Sequence, residues 1–112
     1  MNESEFDALS GATLARIEAA FETAMEDSAA ELDFETPTAG VIELIFADGS
    51  RIVVNRHAAA QEIWVAAAAG GFHYRWDGVA WRDTRDGSEL ISALSRLISA
   101  QAGAEVNLEG GV

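Results

Sequence analysis

Val41-Ile-Glu-Leu-Ile-Phe-Ala-Asp-Gly-Ser-Arg-Ile-Val-Val-Asn55 is the stretch whose reading decides the fold. Ile42, Leu44 and Phe46 alternate with Val41, Glu43, Ile45 and Ala47, the period of two that marks a strand with one buried face. Asp48-Gly49 interrupts the alternation with a hairpin dipeptide, and Arg51–Asn55 returns as the partner strand. The seed of the molecule is therefore an antiparallel hairpin.

Working outward, Gln61–Ala67 reads as another strand, and Gly70-Gly71 turns the chain into Phe72–Trp76. Asp77-Gly78 is a second hairpin signal, before Val79–Arg82. Upstream, Thr36-Pro-Thr-Ala-Gly40 is a turn, and Leu32 and Phe34 before it suggest a short edge strand ended by the only proline. The period then changes at both ends of the chain. Phe6, Leu9, Thr13, Ile17, Ala20, Phe21 and Ala24 recur at helical spacing and predict an amphipathic helix over about Ser4–Met25. Asp86-Gly-Ser-Glu89 has the pattern of a capping box, and the helix it opens carries Leu90, Leu94, Leu97 and Ile98 on one face with Gly103 as its stop.

Two helices that must each bury an apolar face, around about six hairpin-linked strands, predict an α+β fold. It is a two-layer α/β sandwich with both helices on one face of an antiparallel sheet. Residues 1–104 form one domain, and 105–112, aperiodic and glycine-containing, are expected to be a loose tail. The opposite face of the sheet meets water, and strand parity says what lies on it. Phe72, Tyr74 and Trp76 share one face and leave His73 and Arg75 on the other. Ile63 and Val65 share a face, which puts Trp64 beside Glu62 on the polar side, where packing does not call for a tryptophan.

Charge is distributed unevenly. The 112 residues carry a formal net charge of −12, no cysteine and no lysine. Residues 1–35 hold ten carboxylates and one cation, Arg16, whereas five of the seven arginines lie between 51 and 85. Glu18, Glu22 and Glu26 form a like-charged i, i+4 stripe, each neighbouring pair costing a few tenths of a kcal/mol. Glu26 and Asp27 would sit at a helix C-terminus, where the dipole disfavours anions. Solubility accounts for net charge but not for this placement, so the stripe is a candidate surface for something positive. Carboxylates and water suit Fe²⁺, Mn²⁺, Mg²⁺ and Ca²⁺, and a row of them on a convex helix closes no coordination shell, so binding there would be weak and fast.

Other functions are excluded or disfavoured by the same composition. Thiolate metal sites and cysteine nucleophiles cannot occur without cysteine. Direct nucleic-acid contact needs Lys and Arg at phosphates, and no apolar run reaches the roughly 18 residues of a membrane span. The acidic start is unlike a targeting peptide, which predicts a cytoplasmic protein. No nucleophile–base pair or Glu-x-x-His motif is present, so an enzyme is not expected. His57 and His73 have no second histidine at ligand spacing and read as structural or merely exposed. Trp76 and Trp81 read as core or core edge.

Asn2-Glu-Ser-Glu-Phe6, Ala47-Asp-Gly-Ser-Arg-Ile-Val-Val-Asn-Arg56, Gln61-Glu-Ile-Trp64, Gly70-Gly-Phe-His73, Asp77-Gly78, Trp81 and Gln101-Ala-Gly103 together carry a family likeness. By them the chain resembles the bacterial frataxins, from the first residues to about Gln101. The resemblance implies the same sandwich and an iron-binding accessory role in iron–sulfur cluster assembly. The iron, Fe²⁺ or Fe³⁺, would be weakly bound and exchangeable on an acidic ridge that maps to Glu18, Glu22, Glu26, Asp27, Glu31, Asp33 and Glu35. It also implies docking on the cysteine desulfurase and its scaffold partner, with Glu18, Glu22, Asn55, Gln61 and Trp64 as partner-binding residues. The implied state is mainly a monomer, with room for iron-dependent oligomers. The chain departs from the enteric members in a longer stretch between Met25 and Gly40, and from the family in Ala19, Thr23, Ala29 and Ala30 at often acidic positions and in His57 after the Asn-Arg pair, where glutamine is frequent. Two rival readings stand beside this one: an iron-independent regulator of the desulfurase, and an acidic mimic of nucleic acid.

Overall fold

Asn2 and Glu5 open the first helix by capping each other. Asn2 Oδ1 accepts from the Glu5 amide at 2.8 Å, and Glu5 Oε1 accepts from the Asn2 amide at 3.2 Å, so two otherwise orphaned N–H groups are satisfied reciprocally. The computed structural model describes residues 1–27 and 31–108, with only the backbone of Asp27. Its elements are α1 (Glu3–Asp27), β1 (Leu32–Glu35), β2 (Val41–Phe46), β3 (Arg51–His57), β4 (Glu62–Ala67), β5 (Gly70–Trp76), β6 (Trp81–Asp83) and α2 (Leu90–Ala102).

The six strands lie in chain order, β1 to β6, each antiparallel to the next. Hairpin chemistry explains the meander. After Phe46 the chain folds over Asp48, whose Oδ1 accepts from the Ser50 amide and hydroxyl at 2.8 and 2.6 Å. Gly49 then takes φ 86°, the left-handed conformation that glycine adopts without strain. At the β5–β6 turn Asp77 Oδ1 accepts from the Val79 and Ala80 amides, both at 2.8 Å.

One face of the sheet is the core. Ile42, Leu44 and Phe46 of β2, Ile52 and Val54 of β3, Ile63 and Val65 of β4, Tyr74 of β5 and Trp81 of β6 are all buried on it. Phe6, Ile17 and Phe21 of α1 and Leu90, Leu94 and Ile98 of α2 cover them. The two helices and six strands are thus the layers anticipated from the change of period. A half-buried hydrogen bond ties the layers together: Trp81 Nε1 donates to Thr13 Oγ1 at 2.9 Å, so the indole N–H is satisfied at the edge of the core.

Several boundaries differ from expectation. Asp86 does not cap α2; Glu89 does, its two carboxylate oxygens accepting from the Ile91 and Ser92 amides at 2.8 and 3.1 Å. The cause lies upstream, where Asp83 Oδ1 takes the Arg85 amide at 2.7 Å and Gly87 has φ 77°, a left-handed residue that no α-helix can include. Gly70 and Gly71 begin β5 rather than forming the turn, which is Ala68–Ala69, because Ala67 pairs with Gly70. Gln61 lies in the β3–β4 turn at φ 53° instead of starting the strand.

The tail also needs correction. Val106 and Leu108 are buried, at 4% and 0% exposure, and join the core. Ser99 Oγ exchanges hydrogen bonds with the Val106 amide and carbonyl, and Ser95 Oγ accepts from the Leu108 amide. The missing periodicity signalled an irregular backbone, and α2 serines satisfy that backbone where it docks; residues 109–112 lie outside the described ones. Leu108→Ala is expected to cost about 2–5 kcal/mol in urea unfolding, as for a buried leucine. A cost below about 0.5 kcal/mol would place this segment outside the core.

Candidate functional site

The water-facing side of the sheet is built by strand parity and hairpin register together. His57 lies opposite Glu62, Asn55 opposite Trp64, Trp64 opposite His73, and Glu62 opposite Arg75. Two ladder rows therefore bring these side chains onto one patch. Trp64 is stacked between two imidazoles: the His57 ring lies 3.8 Å away at 11°, and the His73 ring 4.4 Å away at 9°. Each histidine is also held from below. Nδ1 of His57 accepts from the Ala60 amide at 3.2 Å, and Nδ1 of His73 is 3.5 Å from Glu62 Oε1.

Glu62 organises this patch. It is 6% exposed, and a carboxylate so placed needs partners. Trp64 Nε1 donates to its Oε1 at 2.9 Å and Arg75 Nη2 to its Oε2 at 2.8 Å. Burial pushes the Glu62 carboxyl up, but the bonds from Trp64 and Arg75 and the Arg75 charge outweigh it, holding the group below the usual carboxylate range. The result is a rigid, half-buried tryptophan, fixed by a hydrogen bond at its edge and by imidazoles on both faces.

Asn55 and Trp64 thus share this patch, while Gln61 sits half-buried in the turn at its end. The Asn55 amide turns back to donate to the Arg56 carbonyl at 3.2 Å. Next to it Arg56 Nη1 bonds Asp7 Oδ1 at 3.0 Å and pins the start of α1 to the sheet. The other two partner-binding expectations, Glu18 and Glu22, are on α1 in the helix layer, so the set divides between two regions of the surface.

The acidic residues form the second region. Glu22 and Glu26 are exposed on α1, and Glu18 is half-exposed, lining with Thr36 and Thr38 a cleft of about 280 Å³ over the β1–β2 turn. Glu31 precedes β1. Asp33 and Glu35 are exposed on β1 and alternate with Leu32 and Phe34, so they point away from the core. Among the described residues no ion pair involves Glu18, Glu22, Glu26, Glu31, Asp33 or Glu35. The Asp27 side chain lies outside the described residues. Glu35 stands opposite Glu43 in the ladder, a like-charge pairing that is unfavourable in isolation. Arg51 moderates it, donating to Glu43 Oε1 at 2.7 Å.

These carboxylates are spread along an edge and do not converge. Among the described residues no group of three or more His, Asp or Glu side chains is arranged to hold a metal ion. What the edge offers is a negative field over an extended surface. No described helix is long and apolar enough to cross a membrane.

A family model described as a Frataxin-like domain matches residues 1–104. The chain belongs to the frataxin family. It is 57% identical over 108 residues to a protein of Dechloromonas aromatica named iron-sulfur cluster assembly protein CyaY, covering 96% of this chain and 99% of that one. A protein of the same name from Cupriavidus taiwanensis is 50% identical, with 96% of each chain covered. The solved frataxin of Psychromonas ingrahamii superposes with a TM-score of 0.78 at 28% identity, over 96% of this chain and 98% of that chain. The frataxin assignment and the sandwich drawn from the residues alone therefore agree.

His57 and His73 are the residues that sequence reasoning set aside. Neither has a histidine neighbour in sequence, yet register brings both to Trp64. The signal was present in the parity of β5 and in the hairpin spacing, which together place His73 beside Trp64.

Because the folded-state Glu62 pKa is depressed, its contribution to stability is full above the carboxylate range of the unfolded chain and fades as pH falls through the folded value. Glu62→Gln is expected to lose about 1.5–3 kcal/mol near neutral pH. The gap from the wild type should close in acid, as read by urea unfolding at successive pH values. A gap independent of pH would show that the Glu62 charge contributes nothing.

Proposed function

We propose that this frataxin-family chain is an accessory protein of iron–sulfur cluster assembly. In this reading it binds Fe²⁺ or Fe³⁺ weakly along the edge formed by Glu18, Glu22, Glu26, Asp27, Glu31, Asp33 and Glu35. Through the same edge it docks on a basic surface of the cysteine desulfurase, and it presents Asn55, Gln61 and Trp64 to the scaffold protein. The observation that carries the reading is the unneutralised acidic edge, in a chain whose relatives bear the name of cluster-assembly proteins.

The physical logic favours exchange over storage. Iron ions accept carboxylate and water ligands, and an open row leaves most of the coordination sphere to water. Iron is cargo here, in rapid exchange. A divided surface also suits a protein that must touch two partners: charge brings the desulfurase in from a distance, while a pre-stiffened tryptophan loses little entropy on contact. Cytoplasmic location belongs to the same proposal.

The lack of three convergent ligands among the described residues favours a second reading, in which the edge is for docking and the protein regulates the desulfurase without iron. Reconstituted cluster formation over a range of iron concentrations separates the two. An effect on the rate that scales with iron supports the iron-binding accessory; one indifferent to iron selects the regulator.

Glu18→Lys/Glu22→Lys alters two helix positions that are not buried, so folding should be retained. It is expected to lower desulfurase affinity by about tenfold or more, and wild-type affinity should fall steeply with ionic strength. A double variant that binds and acts like the wild type would overturn the docking assignment.

A further inference from the structure

Between β5, the β6–α2 loop and α2 lies a cavity of about 250 Å³ that neither the acidic edge nor the tryptophan patch uses. Phe72 and Leu97 give it apolar walls, and Tyr74, Asp83, Asp86, Ser88 and Arg96 supply its polar groups. Tyr74 and Asp83 face each other across the β5–β6 ladder, and both are buried, at 1% and 6% exposure.

These two residues are left incomplete by the fold. No described group hydrogen-bonds the Tyr74 hydroxyl, and among the described residues no side-chain polar atom is sealed away from space without a partner, so the phenol oxygen opens onto the cavity. Asp83 Oδ1 accepts from the Arg85 and Asp86 amides at 2.7 and 3.4 Å. Its Oδ2 has no partner, and no cation pairs with this carboxylate among the described residues. A buried anion without a counter-charge is costly.

Other charges lie nearby, and Arg96 itself lines the cavity. Asp86 Oδ1 accepts from the Ser88 amide at 2.8 Å. Arg96 is exposed and reaches Ser88 Oγ at 3.5 Å. Arg85 is turned elsewhere, over the Phe72 ring at 5.6 Å and onto the Gly71 carbonyl at 2.7 Å. Burial and the carboxylates of Asp83 and Asp86, against the opposing charge of Arg96, push the Tyr74 phenol up to about 12, so it stays neutral at physiological pH.

We propose that this cavity is a binding site for a small aliphatic primary ammonium, whose cationic head donates to Asp83 Oδ2 and to the Tyr74 oxygen while its chain lies on Phe72 and Leu97. The size fits a ligand of a few non-hydrogen atoms, below the roughly 300–1,000 Å³ of drug-sized pockets. The charge fits as well, because a carboxylate there would meet the desolvated Asp83 and be repelled. A neutral alcohol would leave that charge uncompensated.

The test is an amide NMR titration of the full chain with n-butylammonium chloride at constant ionic strength, with n-butanol and sodium butyrate as controls. Saturable shifts confined to residues 72–74, 83–88 and 93–97 are expected for the amine, and none for the controls. Tyr74→Phe, which keeps the ring and removes only the hydroxyl, should weaken the apparent affinity about tenfold or more, and so should Asp83→Asn. Should Asp83→Asn fail to fold, Tyr74→Phe decides alone. The proposal is overturned by equal affinity in Tyr74→Phe, by equal binding of butanol, or by shifts that never saturate and spread along the α1 carboxylates.

Discussion

Burial of a single face of the sheet is the constraint on which everything else depends. With α1 and α2 covering that face, every second residue of every strand is committed to the core, and the intervening residues are left to water. A slip of one residue in any ladder would exchange the two sets. The outer surface is therefore as strictly specified as the core, although no described helix covers it. Trp64 lies on the outer face because Ile63 and Val65 lie on the inner one.

The same constraint explains why the two charged regions are separate. The carboxylates of α1 lie in the helix layer, and those of β1 at the sheet's first edge; Arg75 and Arg82 are on later strands of the meander. Because the strands run in chain order, a charge gradient along the sequence becomes a charge gradient across the molecule. That outcome belongs to meanders. A fold with crossover connections would have interleaved the acidic and basic segments.

Glu62 shows how buried polar groups give order to an exposed surface. A carboxylate placed under a tryptophan and an arginine, and bonded to both, fixes the orientation of two large side chains that would otherwise sample several rotamers. The stacked imidazoles add dispersion on both indole faces. Asp83 is the counterpart on the other side of the sheet: also buried, but with one oxygen left open. The first carboxylate is completed by its own fold, and the second has hydrogen bonds to only one of its oxygens among the described residues.

By itself the sequence determined the elements and their layers, because strand and helix periods are local properties of the chain and Asp-Gly dipeptides turn it without outside help. It also determined which face Trp64 occupies and that the acidic third lacks cations. Tertiary structure alone decided matters that depend on residues distant in the chain. Among these are the stacking of His57 and His73 on Trp64 and the burial of Val106 and Leu108 in the core, with serines of α2 bonding their backbone. It also decided that the described carboxylates of α1 and β1 do not converge. Periodicity reports which way a side chain points; what it meets there is set by register and by the packing of layers, which no local pattern encodes.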